Sequence, residues 1–159
     1  MLNKKTVITF FFTLVFYGCG AGASGSKMTE YRTTIGTTTM YDFETLSEKI
    51  LNRNRYFVDR KEEVGTGKFI DAKFVYKTPT DEEVLNGIRE IRYRLTLEAR
   101  VKGGGVGNLY TVRAIVNSYG KYLSREDWVN IPANNEIKKE IKVFIVDLKS
   151  EFDNKIRVF

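Results

Sequence analysis

The 159-residue chain contains no histidine, the side chain on which most acid–base catalysis and much metal binding rely. Without histidine the chain has no Ser-His-Asp triad, no Cys-His dyad and no pH switch near neutrality. Its single cysteine excludes an intramolecular disulfide and a Cys-x-x-Cys zinc site. We therefore expect a protein that is not an enzyme and that binds neither a metal nor a cofactor.

The chain has enough apolar residues for a sizeable core, and its charge excess is mild. Hydrophobic residues make up 42% and aromatic residues 13%, too many for an intrinsically disordered chain. The length fits one domain. The formal net charge is +6, whereas nucleic-acid binding needs a strongly clustered basic face, so we expect no nucleic-acid partner.

Residues 1–18 are predicted to be a signal peptide. Lys4 and Lys5 supply a positive n-region, and residues 7–17 (VITFFFTLVFY) form an uncharged, largely apolar run. A run of this length suits the core of a signal peptide, whereas a helix that spans a bilayer needs about 20 residues. We therefore expect a cleaved leader and no transmembrane anchor.

The apolar run ends at Gly18 and Cys19, and this junction resembles a bacterial lipobox. The resemblance implies cleavage by signal peptidase II between Gly18 and Cys19, followed by diacylation of Cys19. Gly20 then implies, by the enteric sorting rule, the periplasmic face of the outer membrane. Two alternatives remain: cleavage after residues 21–23 (an A-x-A site), which would release a secreted protein that starts at Ser24, or an uncleaved segment with an incidental cysteine.

Residues 19–27 are predicted to be the lipidated cysteine and a flexible Gly/Ala/Ser tether, and residues 28–159 a single domain. Residues 28–41 are threonine-rich and fit a leading edge strand or an extension of the tether. Asp42 is expected to be the N-cap of a short helix, because Phe43 begins an apolar spacing of three and four residues.

The next segments predict a hairpin and a capped turn of helix. Residues 55–63 and 68–77 are predicted to be two strands joined by a Gly-Thr-Gly turn. In the second strand apolar residues alternate with other residues, so we expect Ile70, Ala72, Phe74 and Tyr76 to lie on one face. Residues 80–83 (TDEE) carry a capping-box pattern. The acids lack the Asp-x-Asp-x-Asp-Gly spacing of a calcium loop, so capping is the favoured interpretation over a metal site.

The clearest periodicity identifies a long, half-buried antiparallel strand. Apolar residues alternate with polar ones at Ile91, Tyr93, Leu95, Leu97, Ala99 and Val101. Residues 103–108 (GGGVGN) are expected to turn the chain into a returning strand over residues 109–119. They do not match either glycine-rich phosphate-binding motif, so a hairpin turn is the favoured interpretation.

The polar face of this strand offers the candidate interaction surface. Its members are basic: Arg92, Arg94, Arg100, Lys102 and, on the returning strand, Arg113. One interpretation is a solvated face balanced by Glu98 and neighbouring acids. The other is a platform for an anionic envelope partner such as lipopolysaccharide phosphates, anionic lipid or an acidic protein patch.

The C-terminal part predicts a short strand over residues 128–131 and a long helix capped by Asn134 or Asn135. The helix carries an apolar stripe at Ile137, Ile141, Phe144, Ile145, Leu148 and Phe152. Packing of this stripe on the sheet is the favoured interpretation, and a helix that lies on a membrane is the alternative. The whole pattern predicts an α+β domain: an antiparallel sheet of four to five strands packed against a long C-terminal helix and a short N-terminal helix.

The order of elements and a few local strings resemble the helix-grip lipoprotein domains of the BamC (NlpB) type. The strings are DFETLSEKIL at 42–51, RYFVDRKEE at 55–63, KFIDAKFVYK at 68–77, YRLTL at 93–97 and YGK at 119–121. The resemblance spans about residues 42–152. It implies a helix-grip-like two-layer fold and an envelope protein partner, in a role accessory to the outer-membrane β-barrel assembly machine.

We therefore expect a non-enzymatic envelope lipoprotein that serves as a binding or scaffolding module. The alternative is a secreted or lipid-anchored domain that binds a small ligand in an apolar pocket between sheet and helix. A cell-wall hydrolase is disfavoured, because the one Ser-x-x-Lys match considered, Ser118 to Lys121, lies at the end of a predicted strand.

The lipid anchor is directly testable by metabolic labelling with palmitate. We expect the chain to be labelled, and Cys19→Ala to abolish the label and leave an uncleaved precursor, because signal peptidase II requires the cysteine. An unlabelled protein whose N-terminus is Ser24 would contradict the anchor and indicate ordinary secretion.

Overall fold

The computed structural model describes residues 29–102 and 109–156. Within these ranges the chain forms three helices and seven strands. Their order is β1 (Glu30–Thr39), α1 (Met40–Arg53), β2 (Val58–Val64), β3 (Gly67–Ala72), β4 (Val75–Lys77), α2 (Asp81–Leu85), β5 (Ile88–Val101), β6 (Leu109–Tyr122), β7 (Trp128–Ile131) and α3 (Asn135–Ile156). The predicted α+β class is confirmed, with seven strands where four to five were expected.

Several predictions concern residues outside the described ranges. The leader, Gly18, Cys19 and the tether lie before them, and the 103–108 loop lies between them. None of the helices in the described ranges is long and apolar enough to cross a bilayer.

All seven strands join one antiparallel sheet with the order β1-β6-β5-β3-β2. β4 also pairs with β5, beyond the end of β3, and β7 pairs with β6, beyond the start of β1. The strand count was underestimated partly because β3 and β4 were predicted as one strand over residues 68–77. The chain leaves the ladder at Lys73, whose amide donates to the Phe57 carbonyl at 2.7 Å, and rejoins it at Val75.

The long strand β5 follows the predicted alternation. Five of the six residues of β5 that were predicted to lie in the core are at most 1% exposed: Ile91, Tyr93, Leu95, Leu97 and Ala99. The sixth, Val101, is 50% exposed, because it lies at the end of the strand. β5 pairs with β6 from Ile88 to Val101, and the Lys102 amide donates to the Leu109 carbonyl at 3.0 Å. The two strands are therefore antiparallel neighbours, as the predicted hairpin requires.

Helix α1 begins three residues earlier than the predicted cap implies. Its N-cap is Thr39: the Thr39 hydroxyl accepts from the Asp42 amide at 3.1 Å and donates to the Asp42 carboxylate at 2.8 Å. The prediction of Asp42 as N-cap was therefore wrong. Threonine and aspartate are both good N-cap residues. In the structure Asp42 lies in the first turn of α1, where its negative charge interacts favourably with the helix dipole.

Helix α3 covers the inner face of the sheet together with α1. Asn134 is its cap, since the Asn134 side-chain oxygen accepts from the Ile137 amide at 2.9 Å. The predicted apolar stripe is confirmed: its residues are buried in the core with the inner side chains of β5, except for the half-buried Ile145. Arg53 at the end of α1 binds Asp147 and Glu151 and so connects the two helices.

The predicted capping box of α2 is confirmed. The Thr80 hydroxyl accepts from the Glu83 amide, and the Glu83 carboxylate accepts from the Thr80 amide at 2.8 Å. The same carboxylate accepts from the Asn134 side chain at 3.1 Å, which joins α2 to the start of α3. Glu83 is thus used by capping, and in the described ranges no acidic cluster is arranged to hold a metal ion.

The packing predicts how two residues of α3 differ in their contribution to stability. Phe144 is buried against the sheet, whereas Val146, two residues later, is 69% exposed. Phe144→Ala should lower the free energy of unfolding by about 3–5 kcal/mol, because it leaves a cavity in the core. Val146→Ala should change it by no more than about 0.5 kcal/mol.

Urea denaturation of both variants and of the wild type measures these differences. Equal losses of stability in the two variants would contradict the assignment of the inner face of α3.

Candidate functional site

No helix within residues 29–102 and 109–156 covers the outer face of the sheet, and the structure places most of the predicted interaction surface there. Arg92, Arg94 and Arg100 alternate with the buried residues of β5 and therefore lie on this face. Arg113 lies on β6 opposite Glu98 of β5, so it shares the face. Lys102 is exposed just beyond the end of β5.

Arg92 is held among aromatic rings. Its guanidinium carbon lies 4.1 Å from the ring centre of Phe74, 4.1 Å from that of Trp128 and 5.7 Å from that of Tyr119. These distances are within the range of cation–π attraction. The buried Nε of Arg92 has no hydrogen-bond partner, and among the described residues Arg92 forms no ion pair.

Arg94 shares one of these rings, Phe74, but is partly neutralised. Its guanidinium carbon lies 4.1 Å from the ring centre of Phe74. One terminal nitrogen donates to the Asp59 carboxylate at 3.3 Å, and the other lies 3.9 Å from an oxygen of Asp71. We call the whole group the arginine–aromatic cluster: Phe74, Tyr76, Arg92, Arg94, Tyr119 and Trp128.

The rings of the cluster also support one another. Phe74 meets Tyr119 edge to face at 5.8 Å between ring centres, and Tyr76 meets Trp128 in the same way at 6.2 Å. Edge-to-face pairs of this kind stabilise an aromatic surface beyond the area that they bury. The rings are therefore positioned by each other as well as by their strands.

The position of Phe74 corrects the prediction that residues 70–76 present one apolar face. Ile70 and Ala72 do lie in the core, but Phe74 and Tyr76 lie on the outer face. The break between β3 and β4 shifts the alternation by one residue, so that Val75 pairs with Tyr93 and Tyr76 with Arg92. The sequence has no glycine or proline at the break, so no turn signal marked it.

Arg100, at the other end of the surface, lies against a buried carboxylate. Glu98 is only 4% exposed at its side chain and accepts from the Arg100 Nε at 2.6 Å. Asp71 is buried beside it on β3 and accepts from Arg60 at 2.6 Å and from the Thr96 hydroxyl at 2.6 Å. This part of the face matches the interpretation of a surface balanced by its own acids.

The five predicted basic residues therefore do not form one continuous platform. Arg92 and Arg100 are eight residues apart on β5, a separation of about 27 Å along the strand. Between them lie Thr96 and the buried carboxylates. Of the outer-face arginines of β5, Arg92 alone lacks an ion-pair partner among the described residues.

Sequence analysis did not predict a buried tyrosine pair on the inner face. The Tyr93 hydroxyl donates to the Glu140 carboxylate at 3.0 Å and lies 3.0 Å from the Tyr56 hydroxyl. Lys77 lies 2.6 Å from the other oxygen of Glu140. Burial raises the pKa of both tyrosines above the ordinary value near 10. Tyr93 is fully buried, so the network fits a structural role better than contact with a substrate.

Two clefts bear on small-ligand binding. The larger has a volume of about 600 Å³ and lies among α2, the end of β6, β7 and the start of α3, where its lining includes Glu82, Asn86, Tyr122 and Asn135. The other, near Phe43 and Phe69, measures about 160 Å³, below the range of about 300–1,000 Å³ usual for ligand pockets. The larger cleft is better suited to a polar ligand than to the apolar ligand expected.

Neither a protein-family model nor a curated protein matches this chain.

The tyrosine pair predicts a specific response to alkaline pH. A tyrosine whose pKa is raised on folding ionises first in the unfolded chain, so its stabilising contribution is present below pH 10 and is lost above it. Tyr93→Phe should flatten the fall in unfolding free energy above pH 10 by up to about 1.4 kcal/mol per pH unit.

Urea denaturation at several pH values measures this slope. Tyr76→Phe is the matched control, since it removes the same hydroxyl group from an exposed side chain. The same alkaline slope in the wild type and in Tyr93→Phe would contradict the raised pKa.

Proposed function

We propose that this chain is a lipid-anchored, non-enzymatic binding module of the bacterial cell envelope. Its arginine–aromatic cluster is the docking surface, and the partner presents a carboxylate or phosphate group. The observation that carries this proposal is Arg92, a guanidinium packed against Phe74 and Trp128 without an ion pair among the described residues. Lipidation of Cys19 supplies the attachment to the membrane.

The setting of Arg92 favours recognition of an anion. Guanidinium donors match the two oxygens of a carboxylate or phosphate, and charge-assisted bonds of this kind are stronger than neutral ones. The rings around Arg92 offer no carboxylate acceptor, so they position the cation without neutralising it. A side chain that is already held in place loses less conformational entropy when the partner binds.

The exposed rings give the docking surface an apolar component. Tyr76 is exposed, Trp128 is half-buried, and the two are in contact next to Arg92. Arginine, tyrosine and tryptophan are the residues that most often dominate the binding energy of protein interfaces. The cluster is therefore better suited to an acidic protein segment than to a diffuse charged surface.

The resemblance to BamC-type domains supports a more specific form of the proposal. A helix-grip-like layer of helices on one face of the sheet leaves the opposite face open to a partner. In this form the chain is accessory to outer-membrane assembly, and the partner is an envelope protein.

A small-ligand binding domain is the second candidate, and the cleft between α2 and the start of α3 is the observation that favours it. Glu83 and Asn134 hold the two sides of this cleft together. Its volume of about 600 Å³ is sufficient for a small polar molecule.

A single substitution tests the role of Arg92. After crosslinking in intact cells has identified a partner, Arg92→Gln should weaken its binding at least tenfold, because one charge-assisted contact is lost. Binding of the wild type should also weaken with rising salt concentration. Titration of the purified partner onto each variant measures both effects.

Arg113→Gln is the matched control, since it removes the same charge from an exposed position on the same face. Its effect on binding should be much smaller. Equal effects of the two substitutions, or no effect of either, would contradict docking through Arg92, provided that urea denaturation finds both variants folded.

A further inference from the structure

The solvent face of α3 carries a second basic surface, on the layer opposite the arginine–aromatic cluster. We call it the lysine face: Lys138, Lys139, Lys142, Val143, Val146 and Lys149. At 3.6 residues per turn these positions fall within an arc of about 140°. Val143 and Val146, one helical turn apart, are 64% and 69% exposed.

The charges of α3 are separated between its sides. Glu140 binds Lys77 and Tyr93, while Asp147 and Glu151 bind Arg53. These three acids are therefore used by contacts within the fold. The four lysines of the lysine face form no ion pair with any residue in the ranges 29–102 and 109–156.

Two acids of α3 remain outside these contacts. Glu136 and Asp153 are exposed near the two ends of the helix. The middle of the lysine face therefore combines uncompensated positive charge with exposed valines. A basic helical face with apolar side chains between its lysines is typical of helices that lie on anionic membranes.

The position of α3 in the fold allows contact with a membrane. α3 packs against β1, and the chain between Cys19 and the start of β1 at Glu30 spans eleven residues. That length reaches at most about 36–40 Å. The helix itself is about 33 Å long, so an anchor at Cys19 leaves the whole lysine face within reach of the bilayer.

We infer that the lysine face lies on the anionic phospholipid headgroups of the membrane to which the domain is attached. The lysine ammonium groups meet headgroup phosphates while their methylene chains and the two valines contact the more apolar zone below. The arginine–aromatic cluster then points away from the membrane. This orientation rests on the proposed lipid anchor, whereas the contact itself depends on the charge of α3.

Proximity of a label to the bilayer tests the inference. Cys19→Ser gives a full chain without cysteine, so that a single introduced cysteine can carry a fluorophore at Val146→Cys or at Tyr76→Cys. In vesicles of phosphatidylcholine and phosphatidylglycerol that contain a headgroup-attached quencher, the label at position 146 should be quenched several-fold more than the label at 76. In vesicles of phosphatidylcholine alone this difference should disappear.

Removal of charge provides the matched comparison. Each lysine near an anionic leaflet strengthens association by about fivefold, so Lys139→Gln, Lys142→Gln and Lys149→Gln together should shift the docked equilibrium about a hundredfold and abolish the quenching. Lys73→Gln, Lys102→Gln and Arg113→Gln remove the same charge elsewhere and should leave it intact.

Equal quenching at positions 146 and 76 in the anionic vesicles would overturn the inference. Crosslinks from position 146 to a protein in intact cells, without quenching in vesicles, would also overturn it and assign the face to an acidic protein. Because the tested chain cannot be acylated, these outcomes are independent of the palmitate experiment and of Arg92.

Discussion

The central strand β5 is paired along both of its edges, and this constraint determines the arrangement of the rest of the domain. β6 occupies one edge, while β4 and β3 share the other. A strand in this position has two faces and no free edge, so its alternation of residues must satisfy two different environments. Leu95 and Leu97 are buried under the layer formed by α1 and α3, whereas the charged side chains of Arg94 and Glu98 lie on the opposite face of the sheet.

In the part of the chain that the structure describes, long side chains rather than a helix lie across the outer face. Asp71 and Glu98 are both buried there, although none of the described helices packs over them. Arg60 and Arg100 neutralise these carboxylates, and the rings around Arg92 cover the neighbouring stretch of sheet. Side chains with apolar stems and polar ends can serve as a thin layer of this kind. The same layer holds Arg92 in a defined position.

Much of the fold and part of the site follow from periodicity in the sequence. The alternation in β5 and the three- and four-residue spacing in α3 are local signals, so both elements and their buried faces were predicted. The cap at Thr39 was missed because Asp42 is an equally good cap in sequence terms. Arg92 was predicted on the correct face, but its contacts with Phe74 and Trp128 depend on the shift at Lys73 and on the pairing of β7 with β6. These are long-range features without a local signal.

The choice of cation on each layer is consistent with two different kinds of contact. The arginine–aromatic cluster uses arginine, whose planar group can be held between rings and can direct several donors toward one anion. The face of α3 uses lysine, a compact charge on a mobile stem, which needs no fixed geometry and suits a surface whose anions move. If lysine replaced Arg92, the charge would remain but its planar fit between Phe74 and Trp128 would be lost. The separation of the two residue types therefore supports selective docking on the sheet and diffuse attraction on the helix.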